Sequence, residues 1–149
     1  GFRHNYQSVR VLDRLENGGA GLNLMPEVLD AVEKSSKVRE DIFAEGWGVP
    51  STLEGQVVKV SDAIAYVNHD ITDAIRAGLI AESDLPAAAR HELGGSYEAR
   101  VETLIGDIVR ASWDATGEGD PAATPVIRFS PGVSAAANEL REFMFEPES

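Results

Sequence analysis

Residues 51–77 read as one long helix with two unlike faces, and this constrains the fold more than any other stretch of the chain. At about 100° per residue, Val57, Val60, Ile64, Val67, Ile71 and Ile75 gather on one side, while Asp62, Tyr66, His69, Asp70 and Asp73 share an arc of roughly 100° on nearly the opposite side. A helix that packs on a core needs a single apolar stripe. The second stripe is therefore either a solvated face or a functional one, and spacing alone leaves both open. The segment has clear ends. Ser51-Thr52-Leu53-Glu54 has the form of a capping box, in which the Ser51 hydroxyl serves the Glu54 amide and the Glu54 carboxylate reaches back. Gly78 follows Arg76 as a stop.

The remaining periodicities are also helical. The span His4 to Glu16 places Val9, Leu12 and Leu15 on one side and stops before Asn17-Gly18-Gly19. Pro26 suits the first turn of a second helix that ends near Ser35-Ser36, and residues 37–50 read as a connector broken by Gly46, Gly48 and Pro50. A short helix is expected over Pro86–Leu93. A longer amphipathic one is expected from Tyr97 to Thr116, with Val101, Leu104, Ile105, Ile108 and Val109 apolar. Gly117–Pro125 reads as a loop. Val126-Ile127-Arg128-Phe129 is the one stretch that could form a strand, although an extended connector fits it equally. Ser130-Pro131 opens a last helix, Gly132 to Phe145. The expected class is all-α, a multi-helix bundle forming a single domain over residues 1–149.

Composition narrows the possible functions. A chain of 149 residues is enough for one well-buried domain. A net charge of −12 argues against nonspecific binding to nucleic acid or to anionic membranes, both of which need basic patches. A bound metal or a few local cations can still reverse the field inside a site. Without cysteine there is no disulfide and no thiol chemistry, which agrees with a cytoplasmic location. No apolar run approaches the roughly 20 residues of a membrane span, and the N-terminus lacks the layout of a signal peptide. The chain opens on Gly1-Phe2-Arg3-His4-Asn5 without an initiator Met and ends soon after Phe143-Met144-Phe145, so both ends look cut.

Five segments, in order, carry a family resemblance. Gly1-Phe2-Arg3-His4-Asn5-Tyr6-Gln7-Ser8-Val9-Arg10 resembles the G-F-x-H-N-x-Q-S-x-R stretch of the HD-domain deoxynucleoside triphosphate triphosphohydrolases, often called dGTPases. Gly21-Leu22-Asn23-Leu24 resembles their G-L-N-L. Leu53-Glu54-Gly55-Gln56-Val57-Val58 resembles L-E-A-Q-V-V, and Asp62-x3-Tyr66-x2-His69-Asp70 resembles D-x-I-A-Y-x-x-H-D. Leu140-Arg141-Glu142-Phe143-Met144-Phe145 resembles the terminal L-R-E-F-L-F.

The resemblance implies an HD-type bundle, incomplete at its N-terminus, that hydrolyses a dNTP to deoxynucleoside and triphosphate around a divalent metal such as Mn, Mg or Fe. The family holds its metal with an H…HD…D set, in which Asp62 matches the last ligand. A carboxylate suits a hard divalent ion and leaves positions for water or phosphate. Tyr66 and Asp70 match residues that face the deoxyribose, His4 matches a catalytic histidine near the phosphates, and Gln7 is a further substrate contact. Asn5 is explained almost as well by helix capping. The literal His69-Asp70 pair is not the metal-binding HD, which would lie before Gly1, so one of four ligands is present. His91 reads as an ordinary polar helix face. Lys34-Ser35-Ser36 stands where relatives often have Lys-His-Ser, which leaves base preference open.

Two further readings compete with this one: a nonenzymatic helical module that binds a nucleotide or a subunit, and an HD phosphohydrolase acting on a monophosphate. Alone, the chain is expected to expose apolar surface along helices 4–16 and 51–77 and to pair with another copy, as a homo-oligomer, or with the missing N-terminal part.

Overall fold

The computed structural model describes residues 3–34, 49–122 and 124–145. Among these residues all regular structure is helical, so the chain is all-α. The longer helices, in order, are α1 (His4–Arg10), α2 (Pro26–Lys34), α3 (Leu53–Arg76), α4 (Ala87–Leu93), α5 (Tyr97–Ala111) and α6 (Pro131–Phe145), with short helical turns between some of them. The chain groups into two compact units, Gly1–Asp62 and Ala63–Ser149, whose boundary falls within α3. No helix among the described residues is long and apolar enough to cross a membrane.

In the first unit α1 packs on α2. The single helix expected over residues 4–16 is instead α1 followed by a π-helical turn, Val11–Leu15. The cause is local: the Leu12 carbonyl accepts the Leu22 amide at 2.8 Å, so the Glu16 amide reaches back to Val11. This return brings Gly21 against the Asp13 backbone, where a Cβ would lie 2.0 Å from the carbonyl oxygen, and its φ is +74°. Only glycine fits there. Asn23, two residues on, also has a positive φ of 51°. The Gly-Leu-Asn-Leu stretch thus matches what the backbone requires.

The capping box expected at Ser51–Glu54 does not form. Thr52 is the cap, and its Oγ1 accepts the Gly55 amide at 3.1 Å. Ser51 donates its amide and its hydroxyl to the Asp30 carboxylate, at 3.0 and 3.1 Å. A charged acceptor is the stronger partner. Asp30 also pairs with Lys34, and its carboxyl is held below the usual range by the Lys34 hydrogen bond first and the Ser51 amide next. Gly55 sits so close to Pro50 and Ala31 that a Cβ would lie 2.8 and 3.0 Å from theirs. The connector expected at 37–50 falls outside the described residues up to 48, as do Ser35 and Ser36.

Neither α1 nor α2 buries a residue. Met25 is 66% exposed, and Tyr6, Leu15, Leu22, Val57 and Val58 are open as well. The expected apolar surface is present in part: of the stripe expected on α3, Val57 is exposed while Val67 and Ile71 are buried.

The core lies in the second unit. There α3 buries Ala63, Val67, Asn68 and Ile71, and α4 packs on both α5 and α6. Leu85, Leu93, Leu104 and Leu140 are almost fully enclosed. The buried face of α5 is a correction to the sequence reading: it consists of Arg100, Leu104 and Asp107, whereas Ile105 and Val109 are 51% and 53% exposed. Polar partners explain the rotation. Arg100 Nε donates to Asn68 Oδ1 at 3.1 Å, and its Nη1 pairs with Glu82. The Asp107 carboxylate accepts the Ser130 amide and hydroxyl, both at 2.7 Å, and so fixes the start of α6.

The helix expected to run to Thr116 stops at Ala111. Ser112 ends it by turning its hydroxyl to Arg128, accepting the amide at 2.9 Å and donating to the carbonyl at 3.2 Å. A 3-10 turn, Trp113–Thr116, follows. Residues 126–129 are accordingly an extended connector tied by side chains, not a strand.

Candidate functional site

The polar stripe of α3 divides by burial. Asp62, His69 and Asp73 are exposed, whereas Tyr66 and Asp70 are half-buried. Along α3, Tyr66 and Asp70 stand four residues apart, one helical turn, and Asp62 precedes Tyr66 by four residues.

Within the second unit Tyr66 and Asp70 stand one helical turn apart on α3, close enough for the carboxylate to act on the phenol. The other side of the contact comes from α6, whose last residue, Phe145, stacks on the Tyr66 ring with centroids 6.1 Å apart and planes 20° from parallel. The Tyr66 phenol is held above its usual range, by burial first, then by the Asp70 charge and the hydrogen bond to it. This has a consequence for alkaline stability. A raised folded value means the native state keeps its proton where the unfolded chain has lost it. The associated stability is fully present below about pH 10, the unfolded value, and is lost as pH rises through the folded value. Denaturant titrations between pH 9 and 11 should show a fall in stability that is shallower in Tyr66→Phe. Parallel falls in both proteins would contradict this.

In the first unit, His4 is exposed at the start of α1, and the Ser8 hydroxyl donates to its carbonyl at 2.9 Å. Gln7 is half-buried; its amide closes on the Arg3 carbonyl at 3.1 Å. Arg3 lies over the Tyr6 ring, 5.6 Å from its centroid. Asn5 is the second residue of α1 and not its cap, since the N-cap position is Arg3 and makes no side-chain cap bond. His91 sits exposed on α4.

Among the described residues no three His, Asp or Glu side chains converge where a metal ion could be held. A cavity of about 260 Å³ in the second unit, lined by Ala111, Asp114, Thr124, Val126 and Arg128, uses none of the stripe residues.

Sequence reasoning gave no role to Asn68, Arg100 or Phe145. The signal for the first two was available: Asn68 sits among apolar residues of α3, and Arg100, Leu104 and Asp107 recur at helical spacing. Polar residues at core-facing positions need partners, and Asn68 and Arg100 are partners of each other. Phe145 gave no comparable signal, because its contact with Tyr66 joins residues 79 positions apart, at 66 and 145.

No family model matches the chain. A curated protein of Clostridium tetani, named deoxyguanosinetriphosphate triphosphohydrolase-like protein, is 45% identical over 148 residues, which is 98% of this chain and 40% of that protein. Over nearly its whole length the chain is similar to part of a protein so named. A family protein of Clostridium perfringens is 43% identical over 146 residues, again 98% of this chain and 40% of the relative. The likeness extends to Bordetella pertussis, at 32% identity over 180 aligned positions covering 98% of this chain and 47% of that protein. The chain thus spans less than half the length of these family members.

Proposed function

We propose that this chain supplies one wall of the active site of an HD-type, metal-dependent enzyme that hydrolyses a dNTP, dGTP-like, to deoxynucleoside and triphosphate. The observation that carries this reading is the four-residue spacing of Asp62, Tyr66 and Asp70 along the helix α3. The names of the relatives point to the substrate. In the reaction, water adds at the α-phosphorus, the bond to the 5′ oxygen breaks, and that oxygen takes up a proton.

Each residue has a role within this reading. Asp62 supplies one ligand of the divalent metal, and the remaining ligands come from polypeptide outside this chain. The metal, when bound, neutralises phosphate charge and activates water. Asp70 receives the sugar. A carboxylate has about four lone-pair sites on two oxygens, so the bond from Tyr66 leaves it able to accept the 3′-hydroxyl. The Tyr66 ring then lies against the 2′ carbon. A ribose would press a hydroxyl onto that ring without a partner, and an unpaired buried hydroxyl is costly. His4 donates a hydrogen bond or a proton to the phosphate end, and Gln7 is a weaker substrate contact.

The test compares the 149-residue chain with the complete polypeptide, using dGTP with Mn or Mg. The complete protein is expected to release triphosphate and deoxyguanosine and to hold stoichiometric metal. The chain alone is expected to do neither, because in this reading Asp62 is its single ligand and one carboxylate holds a divalent ion weakly. Robust triphosphate release from the chain alone would overturn the reading of incomplete metal ligation. A complete protein that binds nucleotide without metal or turnover would favour a nonenzymatic module.

A further inference from the structure

We propose that Phe145, the last residue of α6, is a positioning residue that sets sugar discrimination by holding the Tyr66 ring in place beside Asp70. The proposal rests on the reading of Tyr66 and Asp70 as the deoxyribose-facing pair.

The geometry has three parts. First, the Tyr66 ring stacks on Phe145, with centroids 6.1 Å apart and planes 20° from parallel, and Asp70 stands one turn further along the same helix. A ring packed against this face has less freedom to turn about its two torsions. Second, Phe145 is itself well anchored. Asp107 fixes the start of α6 through Ser130, and Val133, Ala136, Ala137 and Leu140 seat the helix in the core. The ring at the far end is therefore placed by a rigid element. Third, Phe145 is 46% exposed, so it contributes little to the core, and a role in holding Tyr66 explains an aromatic residue at an open helix end. Discrimination against a 2′-hydroxyl depends on small displacements of whatever lies against C2′, and a mobile ring would accommodate the extra oxygen.

The experiment uses the complete polypeptide with Phe145→Leu, Phe145→Ala and the ring-preserving Phe145→Tyr. Aromatic pairing of this kind corresponds to a change of about two- to tenfold. The ratio of kcat/KM for dGTP over GTP should fall by that factor in the Leu and Ala variants and recover in the Tyr variant. In a Tyr66→Ala background, Phe145→Leu should change the ratio no further.

A second readout needs no substrate. The Tyr66 ionisation is followed by carbon-13 NMR of labelled tyrosine, with Tyr66→Phe providing the assignment. In Phe145→Leu it should move down, toward that of an exposed tyrosine, because water reaches a ring that Phe145 had covered. An unmoved ionisation in both the Leu and Ala variants overturns the proposal whatever the activity. A moved ionisation with an unchanged dGTP:GTP ratio also overturns it. If the wild-type protein hydrolyses neither nucleotide, the functional reading fails, and the sugar-discrimination role fails with it; the ionisation then still reports whether Phe145 holds Tyr66.

Discussion

Asp62→Ala in the complete polypeptide is expected to abolish metal occupancy and turnover together. One lost carboxylate removes a ligand and also the negative charge that offsets the ion, so a loss on the order of a thousandfold in kcat/KM is expected alongside loss of bound metal. The neighbouring carboxylate should behave differently. Asp70→Ala should leave the metal in place and cost about 1–3 kcal/mol in kcat/KM, the worth of a charge-assisted hydrogen bond to the sugar. Tyr66→Ala should relax discrimination between deoxyribose and ribose more than it affects metal. Elemental analysis beside steady-state kinetics separates these outcomes. If Asp70→Ala emptied the site and Asp62→Ala did not, the assignment would be out of register, and His69 with Asp70 would become the candidate ligand pair.

The largest expected effect on stability is at Arg100. This side chain is 1% exposed and joins Asn68 on α3 to Glu82. Arg100→Leu keeps an apolar stem but strands the Asn68 Oδ1 in the core, and Asn68 is 0% exposed. It also leaves the Glu82 carboxylate without its cation. Glu82 is about one-third exposed, so water softens that part of the cost. A destabilisation of about 2–4 kcal/mol follows, at the lower side of what breaking a buried ion pair usually costs, and for a chain of this size Tm should fall by roughly 5–15 °C. Thermal and denaturant melts of the variant check it. A change below about 0.5 kcal/mol, the range of ordinary surface substitutions, would mean that the network does not hold α3 and α5 together.

Much of the fold was legible because its determinants are local. Pro26, Gly78, Gly94 and the Ser130-Pro131 pair mark helix ends through backbone chemistry that needs no distant partner. The errors arise where a distant residue intervenes. The cap moved from Ser51 to Thr52 because Asp30, 21 positions away, takes both Ser51 donors. The helix α5 ended early because Ser112 found Arg128, and its buried face turned because Arg100 and Asp107 found Asn68, Glu82 and Ser130. Hydrophobic periodicity weighs apolar residues only, so it pointed to Ile105 and Val109. At the candidate site, the four-residue spacing of Asp62, Tyr66 and Asp70 was readable from helix geometry, and the nearness of Tyr66 to Asp70 follows from it. The Phe145 contact was not, since no local rule links residues so far apart in sequence.

The rotation of α5 also governs how copies of this chain behave in solution. Ile105 and Val109, with Trp113 just beyond the helix, stand open at 51%, 53% and 48%. Such a stripe attracts its like, and at neutral pH the opposing force is the mutual repulsion of molecules carrying a net charge of −12. That repulsion reaches only about 10 Å in 0.1 M salt and about 3 Å in 1 M, whereas sulfate strengthens apolar association. It vanishes near the isoelectric point, about pH 4.6. Colloidal stability therefore rests on carboxylate charge rather than on a polar covering of α5.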